Sequence, residues 1–135
     1  MIGLDTNVLV RFAMHDDESQ TAQALAVMRG LSANEPGFIS HVVLAEVWWV
    51  LSRSYRVDHK RRCSFIADLL DTAELRIEDS GIVRKALACA QDGADLADAL
   101  IAESAASFGC SATVTFDNGA VKGAGMTLVR DYLGS

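Results

Sequence analysis

Four carboxylic acids in this sequence lack any nearby residue that could neutralise them: Asp5, Glu46, Asp98 and Asp117. Asp5 directly follows the short apolar run MIGL, and Asp117 follows ATVT across the bend Thr115-Phe116-Asp117-Asn118-Gly119. Glu46 lies within HVVLAEVWWVLSRS, where the positions three and four residues away are Val42, Val43, Trp49 and Val50. A carboxylate buried there without a partner costs several kcal/mol, so it requires a cation, a proton or donors from elsewhere in the chain. Asp98 has Ala94, Asp95, Ile101 and Ala102 at the same spacings, and the only charged one is another acid. Each acid also has an ordinary role open to it. Asp5 and Asp95 can cap helices, Asp117 suits a turn before Asn118-Gly119, and Glu46 can pair with Arg11 or Arg53. Acids gathered at one end of a sheet repel one another, and hard dications such as Mg²⁺ or Mn²⁺ offset that repulsion.

The elements that must hold these acids follow from hydrophobic spacing. MIGL reads as a buried strand and DTNVLVRFAM as a short helix. A helix is expected from Asp17 to about Leu31, with Ala22, Leu25, Ala26, Met28 and Arg29 at helical spacing, and then a second strand at Phe38-Ile39-Ser40. His41 to Ser54 is apolar nearly all round and predicts a buried helix, followed by a helix from Asp58 to Leu70 and a strand at Glu74–Ile77. Helices are expected over Ser80–Gln91 and Leu96–Phe108, the latter ended by Gly109. Ala112–Thr115 and Met126–Val129 complete a set of four to five strands. Strands alternating with helices predict an α/β domain with a mainly parallel central sheet, which binds ligands at the carboxyl ends of its strands.

The chain has 135 residues, half of them hydrophobic and 22% charged, with ten Gly and one Pro, so disorder and collagen-like repeats are excluded. One domain over residues 1–135 is expected. No apolar run approaches the roughly 18 residues that cross a bilayer, and the start lacks the basic region of a signal peptide, so a cytoplasmic protein is expected. Cys63, Cys89 and Cys110 form no C-x-x-C pair and read as small buried apolar residues, not as a disulfide framework or zinc cluster.

The motifs LDTNVLVRF, the acid of LAEVWWVL, GADLADALIAESAASFGC and TVTFDNGA resemble, in that order, those of the PIN-domain ribonucleases. Within that family the length and layout are similar to VapC-type toxins of toxin–antitoxin modules. The resemblance implies a three-layer α/β/α fold and Mg²⁺- or Mn²⁺-dependent endoribonuclease activity. It implies Asp5, Glu46, Asp98 and Asp117 as the metal-binding and catalytic acids, with Asp95 as an auxiliary candidate. Asn7, Thr115 and Ser40 match polar positions that hold the acids or metal-bound water by hydrogen bonds. A homodimer and a VapB-type antitoxin are the implied partners, with RNA as substrate and no membrane.

A formal net charge of −6 ordinarily counts against a nucleic-acid partner. The candidate phosphate contacts are Arg11, Arg53, Arg56, Lys60, Arg61, Arg62 and Lys122. No P-loop, GxGxxG fingerprint or hydrolase arrangement around His15, His41 or His59 competes with the acids. A dehalogenase-type reading of the first motif requires an Asp where Asn7 stands. The reading from another class is a noncatalytic RNA-binding or protein-interaction module that keeps the PIN fold.

Overall fold

The computed structural model describes residues 1–134, a helix-rich α/β chain in which every strand pairing is parallel. It divides into two compact units, residues 1–80 and residues 81 onward. In the first unit the order is β1 (Ile2–Gly3), α1 (Thr6–Met14), α2 (Glu18–Gly30), β2 (Gly37–Ile39), α3 (His41–Arg53), α4 (His59–Leu70) and β3 (Leu75–Ile77). The sheet order is β1-β2-β3, with Ile2 opposite Gly37 and Gly37 opposite Leu75. Helix α1 packs on α2 and α3, α3 packs on α4, and α4 contacts β3. Leu9, Ile39, Leu44, Val47, Trp48, Leu51 and Ile66 are buried.

Polar side chains start the helices of this unit. Asp17 accepts from Gln20 N, Ser40 from Val43 N and Asp58 from Arg61 N, each satisfying one donor that the first helical turn leaves free. The buried Trp48 ring lies under the Arg62 guanidinium at 4.1 Å and meets the His59 ring edge-on. Arg62 also donates to Val57 O and Trp48 O, so this cation fastens α4 to α3.

The second unit contains α5 (Ser80–Gln91), α6 (Leu96–Ser107), β4 (Val114–Thr115), α7 (Asn118–Ala124), β5 (Thr127–Leu128) and α8 (Val129–Gly134). Strands β4 and β5 pair in register Val114 to Thr127 and Thr115 to Leu128. Gly125 ends α7 in the left-handed region, φ 70°, and its N–H donates to Ala120 O. That conformation favours glycine because it has no Cβ.

The α/β class and parallel pairing agree with the sequence pattern, and the five expected strands are present. They pair as a set of three and a set of two. Helices α7 and α8 depart from the sequence pattern, in which Asn118-Gly119 reads as a turn and Val129 belongs to the last strand. The buried side of α2 is Thr21 and Ala24, whereas Ala22 and Ala26 are exposed. Cys63 is buried, but Cys110, beyond the end of α6, is exposed. No helix among the described residues is long and apolar enough to cross a membrane.

Gly37 occupies the middle of the three-stranded ladder beneath a lid of leucines. A Cβ there would stand 2.8 Å from Leu4 Cδ1 and 3.0 Å from both Leu31 Cδ1 and Leu75 Cδ2. Gly37→Ala should therefore cost about 1–3 kcal/mol by overpacking. Gly81→Ala, in the first turn of α5 with nothing within 4 Å, should be neutral or stabilising. Urea denaturation of the two variants checks the contrast, and equal midpoints would contradict it.

Candidate functional site

The first unit joins two of the predicted acids through one threonine. Asp5 caps α1, and its Oδ1 accepts from Thr6 N at 2.8 Å. Thr6 is buried, and its Oγ1 donates to Glu46 Oε1 at 3.0 Å. Each carboxylate uses one oxygen in these bonds, and its other oxygen is open to a ligand. Glu46 itself is exposed, which corrects the expectation of a buried acid on a helix apolar all round. Helix α3 has two faces: Leu44, Val47, Trp48 and Leu51 are buried, whereas Val42, Glu46, Trp49 and Arg53 form an exposed stripe. Neither Arg11 nor Arg53 pairs with Glu46. Arg11 donates to Asp16, Gln20 and Tyr55, and Arg53 lies over the Trp49 ring.

Ser40 caps α3 rather than holding an acid. The same turn is secured by Glu78, whose Oε1 accepts from His41 N at 2.9 Å. Sequence reasoning missed both Thr6 and Glu78. The Asp-Thr pair at the entry to α1 was the visible signal for Thr6, whereas Glu78 reaches α3 only through the pairing of β3 with β2.

In the second unit three acids share one field. Asp95 caps α6 by accepting from Asp98 N, and Asp98 lies half-buried in that first turn. Asp117 caps α7, its Oδ1 accepting from Gly119 N at 2.8 Å while its own N–H donates to Thr115 Oγ1 at 3.0 Å. Burial raises the Asp98 carboxyl above its ordinary pKa, and the charges of Asp95 and Asp117 raise it further. Gly123 lets α7 approach closely, since a Cβ at this position would meet Ala94 Cα at 3.0 Å.

Within each unit, among the described residues, no three His, Cys, Asp or Glu side chains are gathered tightly enough to enclose an ion. The donors nevertheless suit a hard dication. They are all oxygen, burial and the neighbouring charges of Asp95 and Asp117 oppose the ionisation of Asp98, and Mg²⁺ commonly takes only one or two carboxylates while keeping several waters. Asn7 is exposed at the start of α1, and Thr115 supports Asp117 as described. Of the predicted phosphate contacts, Arg11 and Arg62 are engaged inside the protein, whereas Arg53, Lys60 and Arg61 are exposed.

The PIN domain family matches residues 2–125, a span containing all four acids. The chain belongs to the PIN-domain family. PIN domains are generally nucleases that need divalent metal ions such as Mg²⁺. No curated protein and no solved structure matches the chain.

The Asp98 shift gives this PIN domain a signed pH dependence. A carboxyl raised by folding contributes stability that is full below its ordinary pKa and is lost as pH rises through the raised value. Metal-free Asp98→Asn should therefore melt above the wild type at neutral pH, with the difference shrinking as pH falls through the carboxylate range. Added Mg²⁺ should raise the wild-type melting temperature more than that of the variant. Thermal denaturation in EDTA and in Mg²⁺ checks both, and a pH-independent difference would contradict the assignment.

Proposed function

We propose that this PIN-domain protein is a metal-dependent endoribonuclease that hydrolyses RNA phosphodiester bonds as the toxin of a VapBC-type toxin–antitoxin module. The observation that carries the reading is the family match over residues 2–125, which includes Asp5, Glu46, Asp98 and Asp117. The electrostatic stress on Asp98 adds to it, because a carboxylate raised by burial and by two neighbouring acids favours a bound dication.

Asp5 and Asp98 are the principal metal-binding acids in this proposal, and Glu46 and Asp117 support them directly or through water. A bound Mg²⁺ or Mn²⁺ supplies Lewis acidity at the phosphate and lowers the pKa of water. The chain's own part is to hold its carboxylates oriented. Capping hydrogen bonds do this for Asp5 and Asp117, and the buried hydroxyl of Thr6 does it for Glu46. Asp95 orients the first turn of α6, on which Asp98 stands. Arg53, Lys60 and Arg61 are the proposed phosphate contacts. A VapB-type antitoxin and a second copy of the chain are the proposed protein partners.

Cleavage of end-labelled RNA in Mg²⁺ or Mn²⁺, abolished by EDTA, is the test. Asp5→Asn and Asp98→Asn should each lower the rate by about 100-fold or more, the scale of losing a charged transition-state contact. Folded variants that retain full activity would remove these roles. RNA that is bound but left intact by the wild type in every metal would identify a noncatalytic module.

A further inference from the structure

Trp49 is a large aromatic side chain left mostly in solvent. Its neighbour Trp48 is 2% exposed and locked between Arg62 and His59, whereas Trp49 is 56% exposed. It lies three residues after Glu46 on the outward stripe of α3, a spacing that sets side chains about 5–6 Å apart at Cβ. One turn further on, the Arg53 guanidinium carbon lies 5.3 Å from the indole centroid. Among the described residues Arg53 forms no ion pair that would neutralise it, and it is exposed. An acid, an aromatic plane and a free cation therefore follow one another along one helix face.

We infer that Trp49 is a nucleobase-stacking platform, with Arg53 contacting the adjoining phosphate, and that the nucleic acid taken there is single-stranded RNA. The inference rests on the ribonuclease reading for its choice of RNA. Indole and guanidinium both offer flat faces to an unstacked base, and the guanidinium also complements the phosphodiester charge. In a duplex the base faces are already stacked, so the same surface has little to offer it. Stacking also does not require a basic surface, which suits a chain of net charge −6. Trp49 is then a specificity-determining residue that seats a base one helical turn from Glu46.

The full-length protein in EDTA, where metal-dependent cleavage is silent, is titrated into fluorescein-labelled dodecamers of oligo(A) and oligo(U) and into their duplex, with anisotropy as the readout. Trp49→Ala should weaken binding to the single strands by about ten-fold or more, and Trp49→Phe should recover most of it. Duplex binding should be unchanged in both variants. Arg53→Gln should lower the salt dependence of single-strand binding by about 0.7 in the log–log slope. Trp49→Gln replaces Trp49→Ala if the latter does not fold by circular dichroism.

Equal single-strand affinity of wild type and Trp49→Ala overturns the inference, as does a wild type that binds neither oligonucleotide. Equal losses in the Ala and Phe variants also overturn it. So does a change in molar mass by light scattering without a change in RNA affinity, which would make the stripe a contact with a second copy. A Trp49-dependent affinity in a protein that cleaves nothing in Mg²⁺ supports the inference while removing the nuclease reading. Cleavage with Trp49-independent binding does the reverse.

Discussion

A helix that begins directly after a strand leaves its first N–H groups pointing at the sheet edge with no partner, and this requirement organises the molecule. After β1, Leu4 intervenes and Asp5 caps α1; after β4, Phe116 intervenes and Asp117 caps α7. Ser40 performs the same handover between β2 and α3. Short polar side chains satisfy these donors, and a carboxylate gains further from the positive end of the helix. The strands are only two or three residues long, so each acid is fixed close to the end of its ladder. A capping carboxylate spends one oxygen on the backbone and keeps another. Capping and ligand binding are therefore compatible uses of one side chain, and the cap supplies the orientation that a ligand requires.

Packing extends this control to acids that are not caps. Thr6 is buried by its position in the first turn of α1, and α1 lies against α3, which allows its hydroxyl to reach Glu46. Asp98 is held by its place in the turn that Asp95 caps, and its half-burial near two other acids opposes its ionisation. An apolar residue there would relieve that penalty. A PIN domain that needs a divalent ion gains from the opposite choice, because the repulsion that disfavours the bare acids becomes part of the attraction for a cation.

Much of the scaffold was legible in the sequence. The helix over residues 80–91 matches α5, and the expected strands at Phe38–Ser40 and Glu74–Ile77 overlap β2 and β3, since period and turn residues are local signals. Helix α7 is hidden in the sequence because Asn118-Gly119 is a strong turn signal; its cap at Asp117, its end at Gly125 and the close approach of Gly123 to Ala94 are facts of the folded chain. The acids were legible by type and order, but their surroundings were not. The sequence predicts a buried Glu46 because β-branched and aromatic residues surround it there. Exposure depends on which stripe of α3 faces α1 and α4, and the pattern around Trp48 and Trp49 fits either orientation.

The same tertiary information changes the meaning of the charge count. Arg11 is consumed by Asp16 and Tyr55, and the hydrogen bond from Tyr55 chiefly holds the Asp16 carboxyl below its ordinary pKa. Arg62 is consumed by Trp48 and by backbone carbonyls. A basic residue committed in this way stabilises the fold and adds little attraction for a polyanion. The cations free to meet phosphate are thus fewer than the sequence suggests, on a chain already carrying net charge −6. Counterion release scales with the number of phosphates neutralised, so long-range Coulomb attraction can supply only a small part of the affinity for a nucleic acid. In the reading proposed above, the remainder comes from short-range contacts, namely carboxylates bridged by a bound ion and exposed aromatic faces. Such contacts depend on geometry, and they favour a substrate whose bases and backbone can adapt to the surface over one that is merely anionic.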